Sequence, residues 1–138
     1  MILLDAYALI AFLVGGPATS QVRAILREGN AAVATANLIE ALDISQRVYN
    51  LPIVRAMEVL APLFEGSVTP VLLDVAVSQR AAELRARHYH RSRRPISLAD
   101  AVLIASAKRG DRIATADSDV LAVVKAEKLT PITLPGQG

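Results

Sequence analysis

Residues 1–10 read MILLDAYALI, and this stretch decides how the rest of the chain is interpreted. The run from Met1 to Leu4 is entirely apolar, which is typical of a strand buried on both faces of a sheet. Asp5 ends the run, and the apolar residues that follow predict a helix over residues 6–13. A strand that passes at once into a helix is the building unit of a parallel α/β sheet.

The same alternation of strands and helices continues along the chain. Further strands are predicted at 31–35, 68–73, 112–116 and 131–134, and Pro70 favours an edge position for its strand. Helices are predicted at 17–28, 37–48, 52–60, 75–88, 97–110 and 118–127, with Asn37 and Asp74 as N-caps. Because no hairpin signal separates the strands, the sequence predicts a three-layer α/β/α fold around a parallel sheet of four to five strands.

Composition restricts the classes of protein to consider. The 138 residues suffice for one domain over 1–138, and 53% hydrophobic against 20% charged residues excludes intrinsic disorder. The lack of cysteine excludes disulfide scaffolds, thiolate nucleophiles and zinc sites that need cysteine. The longest uncharged stretch, residues 6–22, contains Gly-Gly-Pro and is too short to span a bilayer. We therefore expect a cytoplasmic protein without membrane association.

Four carboxylates follow strands or begin helices in this scheme: Asp5, Glu40, Asp100 and Asp117. In an open parallel sheet the carboxyl ends of the strands meet at one edge, so these acids are expected to converge there. Helix capping is the alternative explanation for each acid, since Asn37 to Glu40 and Ser97 to Asp100 have capping-box spacing.

The surroundings of two of these acids favour a functional site. Asp5 ends an apolar strand and Asp100 interrupts an apolar helix, whereas acids are rarely buried without partners. Converging carboxylates repel one another, and an oxygen-only ligand set suits Mg²⁺, with Mn²⁺ as a substitute. Such ions commonly assist hydrolysis of phosphodiesters. Asp119 and Asp43 are reserve ligands, and the Ser97 and Thr115 hydroxyls are candidates for orienting a carboxylate or a water.

A basic stretch, RARHYHRSRR at residues 85–94, leads into the helix that bears Asp100. Its arginines are candidates for contacts with nucleic-acid phosphates, and Tyr89 for stacking on a base. The alternative is a solvated helix end whose cations complement the helix dipole. The spacing of His88 and His90 puts them on different sides of a helix, so we assign them no catalytic role.

These motifs resemble a known family, the PIN-domain ribonucleases, and in particular the toxins of VapBC-type toxin–antitoxin pairs. The resemblance rests on four segments in matching order and spacing: MILLDAYALI at 1–10, NLIEAL at 37–42, SLADAVLIASA at 97–107 and IATADSDVL at 113–121. It covers nearly the whole chain. Tyr7 departs from the pattern, because the family often has a small hydroxyl residue two positions after its first Asp.

The resemblance implies a Mg²⁺-dependent endoribonuclease that is inhibited by a cognate VapB-type antitoxin and forms a homodimer. It matches Asp5, Glu40, Asp100 and Asp117 to the family's four catalytic acids, and Asp119 to an auxiliary metal ligand. Two other functions stay open: phosphoryl transfer to Asp5, and a non-catalytic module that binds RNA or protein. Phosphoryl transfer needs a lysine near the pocket, and the first lysine in the chain is Lys108.

Overall fold

The centre of the molecule is a five-stranded parallel sheet. A computed structural model describes residues 1–136, and within them the strands are β1 (Ile2–Leu4), β2 (Ala31–Ala34), β3 (Val68–Val71), β4 (Arg112–Thr115) and β5 (Thr130–Thr133). Their order across the sheet is β3-β2-β1-β4-β5. The sequence predicted four to five strands, and the structure confirms this with five. Pro70 lies in the edge strand β3, as expected.

Helices cover both faces of the sheet. Within residues 1–136 they are α1 (Ala6–Val14), α2 (Thr19–Arg27), α3 (Thr35–Arg47), α4 (Ile53–Phe64), α5 (Val75–His88), α6 (Leu98–Ala105) and α7 (Ser118–Ala126). Ile2 and Leu4 pack into a core with α1 to α4, while Leu3 packs into a second core with α5 to α7. Because neighbouring strand residues point to opposite faces, this division confirms the three-layer α/β/α architecture.

The strand order determines where polar residues meet. β1 lies in the middle of the sheet, paired with β2 on one side and β4 on the other. These three strands end at the same edge and lead into α1, α3 and α7 within two residues. This carboxyl edge is where open α/β sheets place their ligands.

Two predicted helix boundaries were wrong. Asn37 does not cap α3, which begins at Thr35 directly after β2. The side chain of Asn37 is buried instead and donates a hydrogen bond to the Ala99 carbonyl at 3.3 Å. The helix predicted to reach Gly110 ends at Ala105, because Asp111 accepts from the Lys108 amide and holds the following turn.

The helix predicted to end at residue 60 is longer in the structure, where α4 continues through Pro62 to Phe64. Proline removes a single helical hydrogen bond at this point, and Leu63 and Phe64 pack against the core beyond it.

Among the described residues, no single helix has the length and apolar character of a membrane span. Helices α1 and α2 meet that test only when they are taken together, and they are bent by 102° relative to one another.

Candidate active site

A pocket of about 600 Å³ lies at the carboxyl edge of the sheet. It is lined by Asp5, Glu40, Asp100 and Asp117, the four acids to which the sequence pointed, and by Ser97. They come from four different elements and span the chain from β1 to α7. The fold therefore brings these carboxylates to one cavity, although Glu40 lies 35 residues and Asp100 lies 95 residues after Asp5 in sequence.

Asp5 is the most buried of the four acids and is only 9% exposed. It caps α1, with Oδ1 accepting a hydrogen bond from the Ala8 amide at 2.8 Å. Burial raises the pKa of Asp5 to about 6, and the charges of Asp100 and Glu40 add to the rise. Hydrogen bonds from Thr115 and Ala8 oppose it without cancelling it. The pocket thus makes a negative charge at Asp5 costly.

Asp100 and Ser97 form a reciprocal cap at the start of α6. The Asp100 amide donates to Ser97 Oγ and the Ser97 amide donates to Asp100 Oδ2, each at 3.0 Å. Within residues 1–136, Asp100 Oδ1 accepts no hydrogen bond from the protein. Burial raises the pKa of Asp100, with further contributions from the charges of Asp117 and Asp119. The single carboxylate of Asp100 therefore helps to cap α6 and also lines the pocket.

Asp117 caps α7 in the way that Asp5 caps α1. Its Oδ1 accepts from the Asp119 amide at 2.8 Å and from the Val120 amide at 3.2 Å. Its own amide donates to the buried Thr115 hydroxyl oxygen at 3.1 Å. Because Thr115 also forms a hydrogen bond that lowers the pKa of Asp5, this hydroxyl links the two acids that follow β1 and β4. The hydrogen bond between Thr115 and Asp117 is to the backbone amide, so an orienting role of this hydroxyl toward the carboxylates stays a prediction.

Glu40 projects from the second turn of α3 and is half-buried. Burial raises its pKa, and the charges of Asp100 and Asp43 contribute further. Unlike the other three acids, Glu40 caps no helix, so the capping explanation does not apply to it. Its position is fixed by Asn37 one turn earlier, whose hydrogen bond to Ala99 joins α3 to the start of α6.

The two reserve acids occupy different places. Asp119 does not line the pocket, but it is near enough for its charge to raise the pKa of Asp100. Asp43 lies outside the pocket and pairs with Arg47 at 3.0 Å on the surface of α3. Within residues 1–136, no three Asp, Glu or His side chains are placed to hold one metal ion together. The acids therefore share a cavity without forming a ready-made coordination sphere.

A second part of the lining is apolar and aromatic, and sequence reasoning missed most of it. It contains Tyr7, Ile10, Ile44 and Tyr49, together with the glycines at 15 and 16. The position of Ile44, one turn after Glu40, is a signal that helical periodicity supplies. Tyr49 follows the end of α3, and no pattern in the sequence marks it as a pocket residue.

The arginines of the basic stretch have divided roles. Arg85 donates to the Ile96 carbonyl and lies 4.2 Å from the centre of the Tyr89 ring, while Arg87 pairs with Glu127 at 3.0 Å. Tyr89 lies outside the pocket lining. Among the described residues, the guanidinium groups of Arg91, Arg93 and Arg94 make no hydrogen bond or ion pair, so only this half of the stretch is free for a ligand.

The fold and the pocket together define an α/β/α protein with an acidic site at the carboxyl edge of a parallel sheet. The model of the PIN domain family matches residues 2–126, and the chain belongs to this family. PIN domains are generally nucleases. No curated protein gives a significant sequence match to the chain.

Solved structures share this fold at low sequence identity. A toxin-antitoxin complex from Klebsiella pneumoniae superposes with a TM-score of 0.68 at 15% identity, covering 96% of this chain and 97% of that one. FitAcB from Neisseria gonorrhoeae gives a TM-score of 0.63 at 23% identity, with coverage of 96% and 97%. FitAB bound to an IR36 DNA fragment gives 0.67 at 22% identity over the full length of both chains.

Proposed function

We propose that the protein is a divalent-metal-dependent endoribonuclease that hydrolyses RNA phosphodiester bonds at the acidic pocket. The observation that carries this proposal is the convergence of Asp5, Glu40, Asp100 and Asp117 on one cavity, where the pKa of the first three is raised. Within residues 1–136 no lysine, arginine or histidine lines that cavity. A cation from solution would relieve this imbalance of charge.

The donor set suits Mg²⁺, or Mn²⁺ in its place. Every candidate ligand is a carboxylate oxygen, which hard divalent cations prefer. Mg²⁺ commonly takes only one or two protein carboxylates and keeps several waters, so it does not require three acids in direct contact. A bound Mg²⁺ offsets the charge of the scissile phosphate and promotes deprotonation of an attacking water.

The chain's own residues supply positioning. Each of Asp5, Asp100 and Asp117 is held by amide donors at a helix N-terminus, which fixes the carboxylate rotamer before any ligand arrives. We propose that these three acids and Glu40 bind the metal, each either directly or through one of the waters that the ion keeps, and that Asp119 has an auxiliary role through its charge on Asp100. Thr115 and Ser97 orient the acids as hydrogen-bond partners.

We extend the proposal to a toxin role with a cognate VapB-type antitoxin, a homodimeric state and action in the cytoplasm. The similarity of the fold to the Klebsiella toxin-antitoxin complex and to FitAB supports the antitoxin partner. RNA as the substrate is supported by the resemblance of the four sequence motifs to the VapC-type ribonucleases.

The two other functions predict different pockets. Phosphoryl transfer to Asp5 requires a cation beside the phosphate, and the described pocket lining contains no lysine. A pure binding module requires the acids to serve only as caps, yet Glu40 caps nothing and still lines the cavity. Both observations favour the nuclease.

The first experiment measures cleavage of end-labelled RNA and of DNA of the same sequence by the purified chain. We expect RNA cleavage with Mg²⁺ or Mn²⁺, its loss in EDTA and its return with excess metal. Asp100→Asn should reduce the rate more than about 100-fold, since even changes to outer partners of a metal site cost 10- to 100-fold. Asp43→Asn is the matched control, because that acid lies outside the pocket.

Four results would contradict the proposal. Full activity of Asp100→Asn would remove the acids from catalysis, and cleavage of DNA alone would make the enzyme a deoxyribonuclease. A trapped phosphate on Asp5 would favour phosphoryl transfer. Metal-free RNA binding that survives conversion of all four acids to amides, in a chain that cleaves nothing, would favour a binding module.

A further inference from the structure

The aromatic part of the pocket lining has no role in the chemistry proposed above. The chain contains three tyrosines and two phenylalanines, and two of these five aromatic residues, Tyr7 and Tyr49, line the same cavity as the acids. Carboxylates and a cation account for binding of a phosphate, whereas an RNA substrate also carries a base on the adjacent sugar. A base offers a flat apolar face, for which an aromatic ring is the common protein partner.

Tyr7 and Tyr49 are held differently. Tyr7 is half-buried, packs against the core of α1 to α4 and donates its hydroxyl to the Pro135 carbonyl at 2.6 Å. Its ring is therefore fixed as part of the wall. Tyr49 is 42% exposed and belongs to neither core. Within residues 1–136 its hydroxyl makes no hydrogen bond to protein, so packing alone gives no reason for an aromatic residue there.

The backbone around Tyr49 is nevertheless well fixed. The amides of Val48, Asn50 and Leu51 each donate to carbonyls in the last two turns of α3, at 2.9 to 3.1 Å. Asn50 adopts a positive φ of 57°, a conformation that asparagine tolerates at the end of a helix. An exposed ring on a rigid turn loses little conformational freedom when it binds a ligand.

The two tyrosines and Asp5 lie close together. Tyr7 lies two residues after Asp5, in the first turn of α1, and both residues line the same pocket as Tyr49. The aromatic rings and the most buried acid therefore belong to one continuous site. This arrangement matches the order of groups in a nucleotide, with the phosphate beside the acids and the base beside the rings.

We propose that Tyr49 is a base-stacking subsite, which binds the face of an unpaired nucleobase next to the scissile phosphate, with Tyr7 as the fixed wall beside it. The inference rests on the proposed ribonuclease function and adds a selection rule to it. A base inside a duplex has both faces covered by its neighbours, so the subsite accepts only a nucleotide in a loop, a bulge or a single strand.

Binding is measured with the full chain carrying Asp100→Asn, so that the RNA is not cut. Single-stranded RNA oligonucleotides carry the fluorescent base 2-aminopurine at one position each, and its quenching reports stacking. We expect strong quenching at one position beside the cleavage site. Tyr49→Ala should abolish that quenching and weaken RNA binding roughly 5- to 100-fold, the range that loss of one stacked base produces. Tyr49→Phe and Tyr49→Trp should restore both.

Tyr89→Ala is the matched control. Tyr89 is 41% exposed, almost as much as Tyr49, but it lies outside the pocket and packs against Arg85. It should change neither quenching nor affinity. In the otherwise unmodified enzyme, Tyr49→Ala should raise KM with little change in kcat, because stacking is present in both the bound substrate and the transition state.

The outcomes separate this inference from the proposed function. Unchanged quenching and affinity in Tyr49→Ala, while the native chain still cleaves RNA, would overturn the stacking subsite and leave the nuclease intact. Equal cleavage of a single strand and of a blunt duplex would also overturn it. Failure of the native chain to cleave any RNA would overturn the proposed function. Failure of the Asp100→Asn chain to bind RNA would overturn the stacking subsite.

Discussion

Acidic residues have opposite electrostatic surroundings at the two edges of the sheet. At the carboxyl edge, Asp5, Glu40 and Asp100 share a cavity without basic partners in the described lining, and the pKa of each is raised. At the amino edge, Asp111 bonds to the N-terminal ammonium at 2.8 Å. Glu127 there lies 3.0 Å from Arg87 and 2.7 Å from His88.

The pKa shifts at the amino edge have the reverse sign. The hydrogen bond with His88, followed by that with Arg87, lowers the pKa of Glu127 below its ordinary 4.5. Burial acts to raise the pKa of Asp111, but hydrogen bonds from the N-terminal ammonium and the Lys108 amide outweigh it and leave it below 3.8. Acids at this edge stabilise the fold, whereas those at the other edge are ionised at a cost in stability. Such a cost is typical of functional sites.

The largest effect on stability is expected for Asp5→Asn without metal. Asparagine keeps the oxygen that caps α1 but removes the buried charge. The rise in pKa from 3.8 to about 6 corresponds to at most about 3 kcal/mol at pH 7, so the variant should be about 1 to 3 kcal/mol more stable. Urea unfolding in EDTA at pH 7 measures this difference. A loss of stability would mean that the buried charge of Asp5 does not destabilise the folded chain.

The second expectation is that a divalent cation stabilises the native chain through this same edge. A ligand that binds only the folded state at 100 times its Kd adds about 2.7 kcal/mol of stability. We therefore expect Mn²⁺ to raise the Tm of the native chain, measured by scanning calorimetry. Asp5→Asn and Asp100→Asn should lose most of the rise, while Glu127→Gln should keep it. An equal rise in all four chains would place the cation elsewhere.

The third expectation concerns pH. A group whose folded-state pKa is raised binds more protons in the folded state, so stability increases as pH falls through that pKa. For Asp5 the window runs from about pH 6 down to its ordinary value of 3.8. In EDTA, the advantage of Asp5→Asn over the native chain should therefore shrink from pH 7 towards pH 4 and vanish below it. If the advantage does not change with pH, the extra stability of the variant does not come from removal of the Asp5 charge.

The sequence predicted the carboxyl edge better than the amino edge, and for a physical reason. An apolar strand that ends in Asp5 and an apolar helix interrupted by Asp100 are local patterns, and the parallel topology then brings their acids together. Asp111 and Glu127 are ordinary surface acids in sequence. Their partners lie 110 and 39 to 40 residues away, so only the folded structure identifies them.

The errors have the same origin. Asn37 has the spacing of an N-cap, yet burial against α6 makes it a link between helices instead. The sequence after Ser97 predicts a helix that ends only at Gly110, but Asp111 accepts a hydrogen bond from the Lys108 amide in the turn that precedes β4. Tyr49 follows the end of α3, and only the tertiary packing of that helix brings it into the pocket lining. In each case a tertiary contact overrides a local preference.

The smallest expected effect reverses the sign found for Asp5. Glu127→Gln removes the acceptor that joins α5 to the end of α7 through His88 and Arg87, whose side chains are 14% and 55% exposed. Because solvent screens part of this cluster, we expect a loss of only about 0.5 to 1 kcal/mol at pH 7. The pKa of Glu127 is lowered in the folded state, so its contribution is complete above its ordinary 4.5 and is lost as pH falls below it. Urea unfolding of both chains at pH 7 and pH 3.5 should therefore show the penalty at the higher pH alone. A variant more stable than the native chain would show that this edge, like the pocket, holds its acid at a cost.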